Sequence, residues 1–247
     1  MVRTSLEGKT AIVTGASSGI GAATCREFAA AGASVVLAAR SEDRLADLAA
    51  ELEADHGVET LVVPTNVREE DEVDALIDET VDAFGGIDVL VNNAGLSRGS
   101  DLEEMTTDEY ETMQETNVDG LFYATRAAIP HVRETDGHLI YVGSFAGKYP
   151  RSFNPIYAAT KWWTRGFAKS VAAQVGDDDV GVTIVNPAEV RSAFEATDGK
   201  TFEEHFEEGE ASEPEEVAEA VLFAASREGS SVSEIDVNRR DKYADGF

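Results

Sequence analysis

"TAIVTGASSGIGAATCREFAAAG", residues Thr10–Gly32, decides how the chain is read. Its first five residues form a short apolar, partly β-branched run, and the residues after the glycines read as a helix. Between the two, Thr14–Gly21 carries glycines at 15, 19 and 21. Gly15 permits a tight turn, Gly19 lets the backbone approach a pyrophosphate, and Gly21 lets a helix beginning near Ile20 pack closely on the strand. Strand, glycine turn and helix in that order predict a dinucleotide site rather than a plain connection.

Working outward, the same alternation continues to the end of the chain. Thr10–Thr14, Ser34–Ala39, Thr60–Pro64, Ile87–Asn92, His138–Gly143, Val180–Asn186 and Ser231–Val237 read as strands, with helical patterns between them. Leu45, Leu48, Ala49 and Leu52 recur at helical spacing, as do Val73, Leu76, Ile77 and Val81. The pattern predicts an α/β fold: a doubly wound parallel sheet of about seven strands, helices on both faces and ligands at the carboxyl ends of the strands. No internal repeat or linker divides residues 1–247, so one domain is expected, with the Glu-rich stretch Ala188–Ser212 as a mobile loop with short helices.

The second strand, "SVVLAAR", should end beside the adenosine ribose. An acid there would bind both ribose hydroxyls; this chain has Ala39, then Arg40 and Ser41. A guanidinium without a neighbouring acid favours a 2′-phosphate, hence NADP over NAD. The alternative is that Arg40 is the solvated end of a strand. Arg44, one turn into the next helix, is a weaker candidate for the same role.

Composition sets further bounds. Of 247 residues, 48 are acidic and 20 are Lys or Arg, for a formal charge of −28 spread along the chain. Such a surface repels nucleic acid and anionic membranes. A hydrophobic fraction of 43 % argues for a folded core and against disorder. A folded, haloarchaeal-like acidic composition suits concentrated salt, where screening over roughly 3 Å at 1 M removes most self-repulsion. The one cysteine, Cys25, excludes an internal disulfide and fits a reducing compartment. No run approaches the ~20 apolar residues of a membrane span and no leader is evident, so a cytoplasmic location is expected.

With "TGASSGIG", "NNAG" at Asn92–Gly95, Asn117 in "ETNVDG", Ser144 in "VGSFAG" and "YAATK" at Tyr157–Lys161, the chain resembles the short-chain dehydrogenase/reductase family over Lys9–Val237. The resemblance implies a single Rossmann domain, with a cofactor half at about 9–135, a catalytic part at about 136–238 and a tail at 239–247. It implies an oxidoreductase interconverting an alcohol and a carbonyl compound by hydride transfer, with Asn117, Ser144, Tyr157 and Lys161 as the catalytic set and no metal. Tyr157 and Lys161 are four apart and share a helix face. A phenol titrates near pH ~10, and a neighbouring ammonium favours phenolate. By resemblance Tyr157 exchanges the proton, Lys161 also holds the nicotinamide ribose, Ser144 positions the substrate oxygen and Asn117 supports a water-mediated relay. Cofactor contacts are implied for Gly15, Ser17, Ser18, Gly19, Ile20, Gly21, Arg40, Ser41, Asn66, Val67, Asn93, Ala94, Gly95, Tyr157, Lys161, Pro187, Val190 and Ser192.

Three departures qualify the resemblance. Asn66 stands where the family has Asp beside the adenine, Ala188 follows Pro187 where Gly is usual, and a pair of C-terminal glycines is replaced by "SEIDVNRRDKYADGF". That ending, with "GSFAGKYP", looks most like the NADP-dependent 3-hydroxy acid (serine-type) dehydrogenase branch. Lys148 and Arg151 are then candidates to meet a substrate carboxylate, Phe153 and Phe194 to supply apolar walls, and the loop after Pro187 to act as a lid. Trp162 and Trp163 cannot share the inward face of Lys161, and the resemblance places this helix in a dimer or tetramer interface.

Two other classes of function compete. A regulator that senses NADP without reacting has no use for Ser144, Tyr157 and Lys161 together. A hydrolase built on Ser144 lacks a His near it in sequence and the Gly-x-Ser-x-Gly elbow; His138 lies on its strand and should face a neighbouring segment. Finally, His138–Gly176 contains no Asp or Glu. Burial of its helix against cofactor and partner, or protection of the Tyr157 phenol from a nearby carboxylate, would each explain this.

Overall fold

The computed structural model describes residues 4–98, 101–194 and 200–242. Strands β1 (Thr10–Thr14), β2 (Ser34–Ala39), β3 (Thr60–Pro64), β4 (Val89–Asn92), β5 (His138–Val142), β6 (Gly181–Pro187) and β7 (Glu234–Val237) form one sheet in the order 3-2-1-4-5-6-7. Every pairing is parallel. Helices α1 (Gly19–Ala30), α2 (Glu42–His56), α3 (Glu70–Phe84), α4 (Thr107–Gln114), α5 (Gly120–Glu134), α6 (Pro155–Val175), α7 (Phe202–His205) and α8 (Pro214–Ala225) connect them.

The strands are continuous apolar runs because both faces are covered. Ala11 and Val13 turn to one side with Val35, Leu37, Val89 and Val91, under Phe28 of α1, Leu45 of α2 and Val217 of α8. Ile12, Val36, Leu90, Leu139 and Tyr141 turn to the other, under Leu76 of α3, Leu121 of α5 and Val171 of α6. Cys25 is buried within the first layer. The topology reverses between β1 and β4, which opens a crevice at their carboxyl ends.

The boundaries of four strands differ from the sequence expectation: β5 ends at Val142 and not Gly143, and β6 runs Gly181–Pro187 and not Val180–Asn186. β4 begins at Val89, where pairing with Ala11 starts. β7 begins at Glu234 and not Ser231, because the Ser231 hydroxyl accepts from Val182 N (3.2 Å) and donates to Val182 O (3.0 Å), taking over the backbone's partners. In the stretch expected to be a loop, Arg191 N donates to Ser212 O and Ser212 N to Glu189 O, and α7 follows; residues 195–199 lie outside the described residues.

The acid-free stretch finds its carboxylates elsewhere in the chain. Lys148 Nζ donates to Asp236 at 2.7 and 2.9 Å, and Arg165 grips Glu234 with Nε and Nη2 at 2.7 and 3.1 Å. Lys169 approaches Glu234 at 3.3 Å and Arg151 approaches Glu189 at 3.6 Å. So α6 and the loop before it are tied to β7 and to the segment after β6. The Arg165 hydrogen bonds, with Lys148 beside them, hold the Glu234 carboxyl down to about 2. A carboxylate depressed on folding contributes stability that is present above its ordinary value of 4.5 and is lost as pH falls toward 2. Glu234→Gln is expected to lower the melting temperature at pH 7 by roughly 2–6 °C and to flatten its decline between about pH 5 and pH 2.5, measured by thermal unfolding.

Candidate functional site

The crevice holds a cavity of about 480 Å³ running from the end of β2 to the start of α6. Its floor is the glycine turn. Gly15 has φ +67° and Gly19 φ +52°, a region other residues rarely adopt. A methyl group on Gly21 would lie 2.2 Å from Gly15 O, so only glycine lets α1 approach the turn. Ser18, extended at φ −167°, leads into the first turn of α1, whose N–H groups favour an anion.

A second constraint comes from Thr14. Its hydroxyl donates to Val91 O at 3.1 Å and accepts from Asn93 N at 3.0 Å and Ala94 N at 3.1 Å. The Asn93 side chain answers by donating to Thr14 O at 2.8 Å and Gly15 O at 3.3 Å. These bonds lock the ends of β1 and β4 together and fix Ala94 and Gly95 against the cavity.

At the far end, α6 presents Tyr157 and Lys161. Lys161 is buried, and its Nζ donates to Val142 O at 2.9 Å. Removal from water pushes its ammonium down to about 8. The same desolvation raises the Tyr157 phenol, partly offset by the hydroxyl of Ser144 and the charge of Arg151. The sequence expectation is a phenol lowered by Lys161; here the balance lies between desolvation, which raises it, and the Ser144 hydroxyl and the Arg151 charge, which lower it. Lys161 Nζ lies 5.9 Å from the Tyr157 ring centre.

Asn117 sits in a π-helical turn, Glu115–Asp119, between α4 and α5. It is buried behind the cavity, exchanging hydrogen bonds with Leu96 N (2.9 Å) and Leu96 O (2.8 Å) and donating to Thr160 Oγ1 at 3.1 Å. A methyl group on Gly95 would lie 3.4 Å from Asn117 Oδ1 and 3.6 Å from Lys161 Nζ. These groups therefore form one cluster.

Gly15, Ser17, Ser18, Gly19, Ile20, Arg40, Ser41, Asn66, Val67, Asn93, Ala94, Gly95, Ser144, Tyr157, Lys161, Pro187, Val190 and Ser192 all line the cavity, as does Arg44. Gly21 and Asn117 support it from behind. Lys148 and Arg151 are not among the lining residues: their cations meet Asp236, Glu234 and Glu189, and Arg151 also covers the Phe145 ring. Phe194 tilts against Tyr157 with ring centres 5.8 Å apart, whereas Phe153 is exposed. Trp163 stacks on Phe167 at 4.7 Å and Trp162 is exposed. His138 is buried with its ring against Gly181. Among the described residues no cluster could hold a metal ion and no helix is long and apolar enough to cross a membrane.

A family profile described as short chain dehydrogenase matches residues 9–202. The chain belongs to this family. An uncharacterized oxidoreductase of Staphylococcus aureus (strain MRSA252) is 36 % identical over 236 residues, covering 95 % of this chain and 98 % of that protein. Among solved structures, an alcohol dehydrogenase of the archaeon Thermococcus sibiricus complexed with 5-hydroxy-NADP superposes with TM-score 0.87 at 29 % identity, over 95 % of this chain and 99 % of that one. An L-sorbose reductase of Gluconobacter frateurii complexed with NADPH and L-sorbose gives 0.85 at 29 %, over 96 % and 97 %. A 3-ketoacyl-(acyl-carrier-protein) reductase of Brucella melitensis complexed with NADH gives 0.85 at 30 %, over 95 % and 98 %.

Sequence reasoning passed over several residues that shape this short chain dehydrogenase site. Thr14 opens the glycine-rich motif in the sequence, but its hydroxyl's role in joining β1 to β4 is not visible there. Arg68, Ser97, Arg98, Thr112, Thr116 and Phe202 also line the cavity, brought there from separate segments. Asn154, whose Oδ1 accepts from Tyr157 N at 3.0 Å, caps α6. Its signal was visible as an Asn directly before a Pro that opens a helix. Thr14→Val leaves two backbone N–H groups without their acceptor. It is expected to lower the melting temperature by roughly 2–8 °C and to weaken dinucleotide binding measured by calorimetry.

Proposed function

We propose that the protein is an NADP-dependent reductase of carbonyl compounds, reversible as an alcohol dehydrogenase, with Tyr157 as general acid/base. One observation carries this reading. In a chain of net charge −28, the cavity is lined by Arg40, Arg44, Arg68, Arg98 and Lys161 and, among the described residues, by no carboxylate. An anionic dinucleotide fits such a site.

Gly15 and Gly19 would bring backbone N–H groups to the pyrophosphate, with Ser17, Ser18 and Ile20 around it. Asn66 and Val67 would flank the adenine. Arg40 and Ser41, with Ala39 where an acid would select the free ribose, would hold the 2′-phosphate. Solved relatives of this fold have been crystallised with NADPH and with NADH, so the choice falls to these residues. Bound NADPH supplies the hydride. Tyr157 donates the proton to the carbonyl oxygen, and its raised pKa keeps that proton in place at neutral pH, which suits reduction. Ser144 positions the same oxygen. Lys161 would hold the nicotinamide ribose, and Asn117 would support a water-mediated relay toward it. Pro187, Val190 and Ser192 would close the nicotinamide end. For a 3-hydroxy acid substrate, Lys148 and Arg151 are already engaged by carboxylates of this chain, and the cations left to consider are those that line the cavity. The exposed Phe122 and Trp162 on α5 and α6 support a homodimer or homotetramer, and the dispersed acids support work in concentrated salt.

Tyr157→Phe is expected to lower NADPH-dependent turnover at least about 10²-fold while NADPH still binds by calorimetry. Reduction is expected to decline above about pH 8 as Lys161 loses its proton. Ala39→Asp with Arg40→Ala is expected to reverse the ratio of NADP to NAD efficiency by at least about tenfold; an unchanged ratio refutes the assignment.

A further inference from the structure

Leu96, Ser97 and Arg98 line the cavity together with Phe194, and one buried amide fixes the position of Ser97 and Arg98. Asn154 is 1 % exposed and Ser97 8 %. The Asn154 Oδ1 accepts from the backbone N–H of Tyr157 at 3.0 Å, so its Nδ2 must face the other way, toward Ser97 Oγ at 2.8 Å and Arg98 O at 3.2 Å. A backbone N–H can only donate and a backbone carbonyl can only accept, so the amide has one possible orientation. Ser97 Oγ is therefore an acceptor in this pair. Its own proton has no protein acceptor among the described residues, and Ser97 lines the cavity.

The remaining flank is apolar. Phe194 leans on Tyr157, and Phe202 follows at 5.7 Å from Phe194. Both rings are held by backbone pairing, with Phe202 N donating to Phe194 O at 2.9 Å and Glu203 N to Ser192 O at 3.1 Å. The cavity that Tyr157 lines thus also presents the Ser97 hydroxyl and the Phe194 and Phe202 rings.

We propose that Ser97 is a specificity-determining hydrogen-bond donor, so that the substrate carries a second acceptor oxygen near the reacting carbonyl and an apolar group facing Phe194 and Phe202. This inference rests on the reductase reading. An unmet buried hydroxyl penalises substrates that lack the acceptor, by about tenfold for a neutral pair. Ketone, hydroxyl and ether oxygens share the required chemistry.

The test compares NADPH-dependent reduction of diacetyl, acetoin and butanone. The first two are expected to exceed butanone in kcat/KM by about tenfold. Because the second oxygen also changes the intrinsic reactivity of the carbonyl, the readout is the change in ratio: Ser97→Ala should lower it about tenfold from wild type, and Ser97→Thr should restore it. Asn154→Asp is the sharper variant: its carboxylate still accepts from Tyr157 N but now also accepts the Ser97 proton, so the ratio should collapse while α6 stays capped. A general loss of packing would depress all three substrates together and leave the ratio intact, which overturns the assignment. Equal wild-type efficiency on all three overturns it too. A wild type that binds NADPH but reduces none of these or of any wider carbonyl panel overturns the reductase reading, and this one with it.

Discussion

The site depends on one close approach: the Gly21 Cα against the carbonyl of Gly15, where a methyl group would lie 2.2 Å from the oxygen. Without that contact α1 cannot seat on the sheet with its first N–H groups at the crevice. The Thr14 hydroxyl and Asn93 amide then tie the same turn to β4, so the two strands on either side of the topological reversal move as one. The segment Gly95–Leu96 continues from β4 to the Asn117 amide, and the Thr160 hydroxyl links Asn117 to α6. A steric demand at one glycine is in this way transmitted to the α6 end of the cavity.

Charge is distributed with comparable economy. The chain is strongly acidic, yet the described walls of the cavity contain no carboxylate, and Glu189, between the lining residues Ala188 and Val190, is engaged. Glu189 accepts from Lys242 at 2.6 and 2.7 Å, and Lys242 lies over the Phe145 ring opposite the segment that carries Ser144. The cavity is therefore a local positive well in a negative field. Such a field deters anions at long range and admits them only where arginines line the entry, an effect that salt shortens to a few ångströms.

The alternation of strand and helix was legible because both faces of the sheet are covered, which forces apolar runs in every strand and single apolar stripes on the helices. The glycine turn, Tyr157 and Lys161 were legible for the same reason: their chemistry is written in short spacings. What the sequence concealed are contacts across long separations. Lys148 and Arg151 looked like free cations beside the site, but their partners lie on β7 and after β6. The absence of acids in His138–Gly176 was read as burial or as protection of the phenol. The structure adds a third cause, since its cations already use Glu189, Glu234 and Asp236. Desolvation, which no local pattern reports, raises the Tyr157 phenol. Asn154 and Ser97 are 57 residues apart, and only the fold brings them to 2.8 Å.

The ties between α6 and β7 also govern the order in which the molecule can be assembled. Arg165 waits for Glu234, 69 residues later, and Lys148 for Asp236, 88 residues later. During synthesis, the glycine turn and the first strands emerge and can pair early, while α6 stays unanchored on one side until β7 has emerged. The glycine-turn half of the cavity is thus laid down first and its α6 end is secured last. A nascent chain that stalls before β7 would carry the cradle without a fixed Tyr157.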